Sequence, residues 1–189
     1  LRHARRSSSD IATLPVTGIA SGDEFGAAIA ADGSVAIVGS RLDDLPGKPD
    51  GGSARIFRDA GGTWTEEALL TPPVADLVSK NYFGAAVAID GDVAVIGAPG
   101  SDLVGADNAG LAYVFRRTAG TWALEATLAR AGAAANDKFG TAVAVIGDLV
   151  AVGAPAVNIG GQSDTGSVTV YRLDAGAWTA SATIAPPSP

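Results

Sequence analysis

The sequence contains no cysteine and no methionine. Without cysteine there is no disulfide scaffold, no thiolate metal site and no cysteine nucleophile. The single histidine, His3, lies in the leading tail, which argues against a histidine-based triad or a multi-histidine metal centre. Charged residues are sparse at 17% and aromatics at 6%. The longest apolar runs, such as Val93–Pro99, are far shorter than the roughly 20 residues of a membrane helix, so no membrane insertion is expected. Basic residues never interleave with aromatics, so there is no platform for a nucleic-acid strand. The net charge is −7, and Arg2, Arg5 and Arg6 sit in the first ten residues, so the body is more acidic still. Such a body repels nucleic acid and anionic membranes. The head, residues 1–10, is basic and Ser-rich with no apolar stretch. It reads as a disordered tail without a signal peptide, and Leu at position 1 predicts a processed form or a fragment.

What is present is repetition. Phe25–Trp64 aligns without gaps on Phe83–Trp122 and on Phe139–Trp178. Phe-Gly recurs at Phe25-Gly26, Phe83-Gly84 and Phe139-Gly140. Glycines recur at Gly33, Gly91 and Gly147, at Gly39, Gly97 and Gly153, and at Gly52, Gly110 and Gly166. An aromatic-Arg pair recurs at Phe57-Arg58, Phe115-Arg116 and Tyr171-Arg172. All three tryptophans, Trp64, Trp122 and Trp178, hold one position of the unit. A fixed period of this size marks a repeat architecture.

Each unit reads as four short strands, A to D. In the second copy these are about Gly84–Ile89, Val93–Gly97, Leu111–Arg116 and Trp122–Leu128, with a two-residue turn at Asp90-Gly91. That turn leaves no room for a crossover helix. Yet strands A and B (AAVAI and VAVIGAP) are apolar on both faces, so both faces must be covered. Stacking similar sheets does this, as between the blades of a β-propeller. Small residues at Ala28, Ala86 and Ala142 and at Ala30, Ala88 and Ala144 permit close approach. Strands C and D, which carry Arg, Glu and Thr, are expected on the outside. The predicted fold is all-β: three four-stranded antiparallel blades, 25–82, 83–138 and 139–189. Residues 11–24 are read as an extra outer strand of a preceding blade and its connector, because Ala12–Gly26 aligns on Ala126–Gly140. A ring needs at least four blades, so further blades in the parent chain or self-association are expected.

The repeat resembles the FG-GAP repeat of integrin alpha-subunit propellers and of many bacterial surface proteins. The match rests on Phe83-Gly84 with Gly97-Ala98-Pro99, and on Phe139-Gly140 with Gly153-Ala154-Pro155. The first copy departs, with Gly39-Ser40-Arg41 in place of Gly-Ala-Pro. The resemblance implies a β-propeller, an extracellular or cell-surface location, adhesion or ligand binding, and in many members calcium. The short A–B turn is too small for the Asp-rich calcium loop of integrin-type repeats and is similar to the bacterial variant.

No catalytic constellation is visible, and no cofactor is expected. Residues for a weak calcium site are found only in the B–C loops: Asp44, Asp50, Asp102, Asp107, Asn108 and Asp164, with Asn158 at the position of Asp102. Turn formation in a solvated loop explains the same residues. Asp90-Gly91-Asp92 reads as a turn rather than a metal site. The tryptophans read as packing residues rather than carbohydrate platforms. The sequence assigns no function to Arg58, Arg116 and Arg172. The leading functional reading is a non-catalytic binding or scaffold module that presents loops to a protein or glycan. Two alternatives stay open: the propeller part of an extracellular hydrolase or lyase acting on polysaccharide or phospholipid, and a purely structural repeat.

Overall fold

A computed structural model describes residues 16–187. It shows three four-stranded sheets, each a meander in chain order. The first blade comprises β1 (Ala28–Asp32), β2 (Val35–Ser40), β3 (Ser53–Asp59) and β4 (Trp64–Leu70). The second comprises β5 (Ala86–Asp90), β6 (Val93–Ala98), β7 (Leu111–Thr118) and β8 (Thr121–Leu128). The third comprises β9 (Ala142–Ile146), β10 (Leu149–Ala154), β11 (Ser167–Asp174) and β12 (Ala177–Ile184). All pairings between these strands are antiparallel. The only helical element among the described residues is the 3-10 turn Val74–Asp76 in the first connector. No helix among the described residues is long and apolar enough to cross a membrane.

The hairpin turn falls one residue later than its sequence suggests. Asp90 still pairs with Val93, so the turn residues are Gly91-Asp92, with Gly91 at φ +56°. A glycine at the first of two turn residues matches the tight turns whose twist suits a hairpin. The extra leading strand lies outside the described residues. Residues 16–24, which are described, form turns rather than a strand.

The blades stack through their faces. β1 lies along β5 and β5 along β9, so the strands with small residues are nearest neighbours between blades. One apolar cluster fills the first joint with Ile37, Ile56, Phe83, Val87, Ile96 and Tyr113. A second fills the next joint with Val95, Val114, Phe139, Val150, Val152 and Tyr171. The middle blade is therefore covered on both sides, and all of β6 is buried. The expectation for strand C needs correction. The first five residues of both β3 and β7 are buried, so only the fourth strand is an outer strand. Arg55 is buried within β3 and pairs with Glu66, but the other arginines of strand C sit at its far end, past the buried stretch, and the sequence alone does not separate the two.

Candidate functional site

The Phe-Gly motif is a plug. The residue before each Phe has a left-handed backbone: Glu24 at φ +53°, Tyr82 at +56° and Lys138 at +58°. A non-glycine residue costs of the order of 1 kcal/mol or more in this conformation, so neighbouring contacts must hold it. They do so by docking the connector on the B–C loop of the preceding blade. Lys80, Tyr82 and Phe83 donate their backbone N–H groups to the carbonyls of Pro49, Asp50 and Gly51 at 2.8, 3.1 and 3.2 Å. Asn136, Lys138 and Phe139 donate in the same way to Asp107, Asn108 and Ala109 at 2.8, 3.3 and 2.9 Å. The Phe83 ring is then fully buried between blades against Tyr113 and Phe115, and Phe139 is fully buried against Tyr171. Phe25 has no described blade before it and stays 39% exposed.

The recurring glycines make the seat. A Cβ on Gly97 would stand 2.8 Å from the carbonyl carbon of Gly140 and closer still to its oxygen. A Cβ on Gly39 would meet the Gly84 carbonyl in the same way. Cβ atoms on Gly52 and Gly110 would stand 2.6 Å from Phe83 N and 2.5 Å from Phe139 N. The motif is thus a device for bringing two backbones together across a blade joint, and only glycine permits that approach.

Residues missed by the sequence reading support the plug. Asp23, Asn81 and Asp137 stand two positions before each Phe and are all buried. Asp23 and Asp137 accept the N–H groups of Ala20 and Ala134 at 2.5 and 2.7 Å. Asp137 also takes Arg130 at 2.6 Å. Asn81 donates to the Asp76 carbonyl and to Ser101. The signal, an acid or amide at one fixed distance from every Phe-Gly, is present in the sequence. The departure in the first copy has a local account: Arg41, in the place of proline, donates to Glu24 at 2.6 Å.

The B–C loops project from the same end of the sheets as these plugs. In each, a side-chain oxygen six residues upstream accepts one backbone N–H. Asp44 takes Asp50 N at 2.9 Å, Asp102 takes Asn108 N at 2.7 Å, and Asn158 takes Asp164 N at 2.9 Å. The receiving residues are left-handed, at φ +54°, +51° and +54°. Six of the seven oxygen-bearing residues singled out above therefore form a loop clasp. Asp107 is used through its carbonyl, which receives Asn136. Among the described residues no group of three or more His, Asp or Glu side chains is arranged to hold a metal ion.

Opposite the loops, the turn carboxylates cross the joints. Asp32 accepts Gly91 N at 2.8 Å, and Asp90 accepts Gly147 N at 2.5 Å. Asp90 is thus more than a turn residue. The arginines also find partners: Arg58 pairs with Glu67, and Arg116 with Glu125 at 3.0 Å. Glu67 reaches across the first joint to Arg117 as well, and accepts the Trp122 indole N–H at 3.0 Å. Burial pushes the Glu67 carboxyl up, but the bonds from Arg58, Arg117 and Trp122 outweigh it and hold its pKa below the ordinary value. Trp122 is buried, while Trp64 and Trp178 are half-buried.

The family model of the FG-GAP repeat matches residues 9–57, 64–115 and 122–171, the segments that carry these plugs and seats. The chain belongs to the FG-GAP repeat family. The second and third FG-GAP matches start on the last strand of one blade and end on the third strand of the next, so each spans a joint. A search of curated proteins returned no match.

Proposed function

We propose that this FG-GAP module is a non-catalytic binding or scaffold element of a secreted or cell-surface protein, presenting its B–C loops to a protein or glycan partner. The observation that supports it is the loop set itself. Three loops share one clasp and one short tip bridge (Leu45 with Lys48, Leu103 with Ala106, Ile159 with Gln162), yet their tips differ in chemistry. The first offers Pro46 and Lys48, the second a fully exposed Val104, the third Gly160-Gly161 and Gln162. Loops held in place before binding lose little entropy when they bind. A rigid scaffold with variable tips is how propellers and sandwiches generate recognition surfaces. The acidic body disfavours nucleic acid as the partner. No cofactor is required by this mechanism.

The test is a binding screen of the immobilised chain against printed neutral and acidic polysaccharides and extracellular-matrix proteins, with and without chelator. The expected result is a ligand retained in chelator and lost when Val104→Asp and Lys48→Glu are combined. Turnover of a polysaccharide or phospholipid by the chain alone, or binding that ignores both tip changes, overturns it.

A further inference from the structure

Among the described residues the third blade has a seat with no plug. Gly153 and Gly166 stand where Gly39 and Gly97, and Gly52 and Gly110, receive the following Phe-Gly. A Cβ on Gly153 would meet nothing nearer than Ala142 Cβ at 3.4 Å. The empty seat is a cavity of about 530 Å³, lined by Ala142, Ala154, Pro155, Val168 and Ile184 among others, and almost wholly apolar. Among the described residues the first blade has the converse: a plug with no seat. Phe25 is 39% exposed, and Ile29, on the same side of β1, is 73% exposed.

The two bare faces are also matched to each other at one place where they depart from the repeat. Ile146 occupies the position of Asp32 and Asp90, whose carboxylates cross to the next blade, and it is 72% exposed. Ala31 occupies the position of Ile89 and Val145, which fill the joint from the other side. The large side chain has moved from one face to the other, so that the third blade carries the bulk that the first blade lacks. An apolar patch of this kind marks an interaction surface.

We propose that the seat at Gly153 and Gly166 takes Phe25-Gly26 of a second copy of this chain, extending the two internal joints head to tail. The inference goes beyond the loop-binding reading and does not depend on it. Two copies bring together twice the three described blades, within the range of about four to eight that closed propellers hold, so a ring of two copies is the product to test for.

The test is sedimentation equilibrium of the wild type, Gly153→Ala and Ile29→Lys over a wide concentration range. Circular dichroism and thermal melts at low concentration confirm that each variant is folded. Both substitutions fall on exposed or open positions, so the monomer should keep its fold. The wild type should rise from 18.7 kDa to a dimer or a larger species. Each variant alone should associate at least tenfold more weakly. A mixture of the two should form one-to-one pairs, because Gly153→Ala retains the plug and Ile29→Lys retains the seat. A wild type that stays monomeric throughout overturns the proposal and leaves the seat to a further blade of a longer chain. Association unchanged by Gly153→Ala, or no pairing in the mixture, overturns it equally.

Discussion

The three glycines Gly39, Gly97 and Gly153 permit an internally controlled experiment, because one sequence position meets two environments, a seated plug in the first two copies and an open seat in the third. At Gly97 the added methyl would sit 2.8 Å from the Gly140 carbonyl carbon and nearer its oxygen. Neither atom belongs to a flexible side chain, so the backbone of the next blade must withdraw by the order of an ångström. Overpacking of this kind costs about 1–3 kcal/mol. Withdrawal also weakens the Phe139-to-Ala109 and Lys138-to-Asn108 bonds, each worth about 1 kcal/mol. Gly97→Ala should therefore cost about 3–5 kcal/mol, and Gly39→Ala a similar amount against the Gly84 carbonyl. Gly153→Ala meets only ordinary contact and restricts the unfolded chain, so it should be neutral or stabilising by up to about 0.5–1 kcal/mol. Urea unfolding of the three variants, at concentrations low enough to keep copies apart, reads these differences directly. Equal losses at all three positions would show that the glycines serve the strands themselves and not the joints.

Removing the carboxylate of Glu67 should cost about 1–3 kcal/mol, because Arg117 and Trp122 lose their partner across the first joint. Since its pKa is held below the ordinary 4.5, its stabilisation is present above that pH and is lost as pH falls through the lowered value. Glu67→Gln should accordingly flatten the acid limb of a stability-pH curve. At the alkaline end the sign reverses. Burial raises the Tyr113 phenol well above the usual 10 and Tyr171 to about 12, so stability should fall as pH rises above 10, and Tyr171→Phe should lessen that fall. In the B–C loop, Asp102→Asn keeps the oxygen that accepts Asn108 N and should be nearly silent, as Asn158 is in the third loop, whereas Asp102→Ala should cost about 1 kcal/mol. A melting temperature that drops on adding chelator, or with Asp102→Asn, would instead mark that carboxylate as a calcium ligand.

The parts of the fold that repeat were legible in the sequence. Phe-Gly, the hairpin glycine and the apolar runs recur in every copy, and they set four strands per unit and blades covered on both faces. Strand C misled because all its arginines but the buried Arg55 lie at its far end, while Ile56 and Val114 sit deep in the joints. The cross-blade bonds were not legible for a different reason. Asp90 in a hairpin looks like any turn aspartate until the next blade brings Gly147 N within reach. The Glu67 cluster could not be found by repetition, since the position of Arg117 holds Asp59 in the first copy and Leu173 in the third. The buried Asp23, Asn81 and Asp137 were within reach of the same alignment that found the Phe-Gly motif. The loop carboxylates were read as turn formers or weak ligands, and the clasp they form depends on a loop conformation that composition does not specify.

The plugs also tie the B–C loops to the joints. The first and second B–C loops are each held from inside by the clasp and from outside by the following connector, which donates three backbone N–H groups. The third loop has the clasp from Asn158 to Asp164 N but no described connector, so the carbonyls of Ser163, Asp164 and Thr165 lack the partners that Asp107, Asn108 and Ala109 have. Seating a plug against Gly166 would supply them. Hydrogen exchange should then report the joint through the loop: the third loop, Ala156–Thr165, should exchange faster than Gly100–Ala109 in dilute chain and approach it on association. In Gly153→Ala the same slowing should need at least tenfold higher concentration. Equal protection of the second and third loops in the monomer would show that the clasp alone fixes them, and that assembly and recognition are independent.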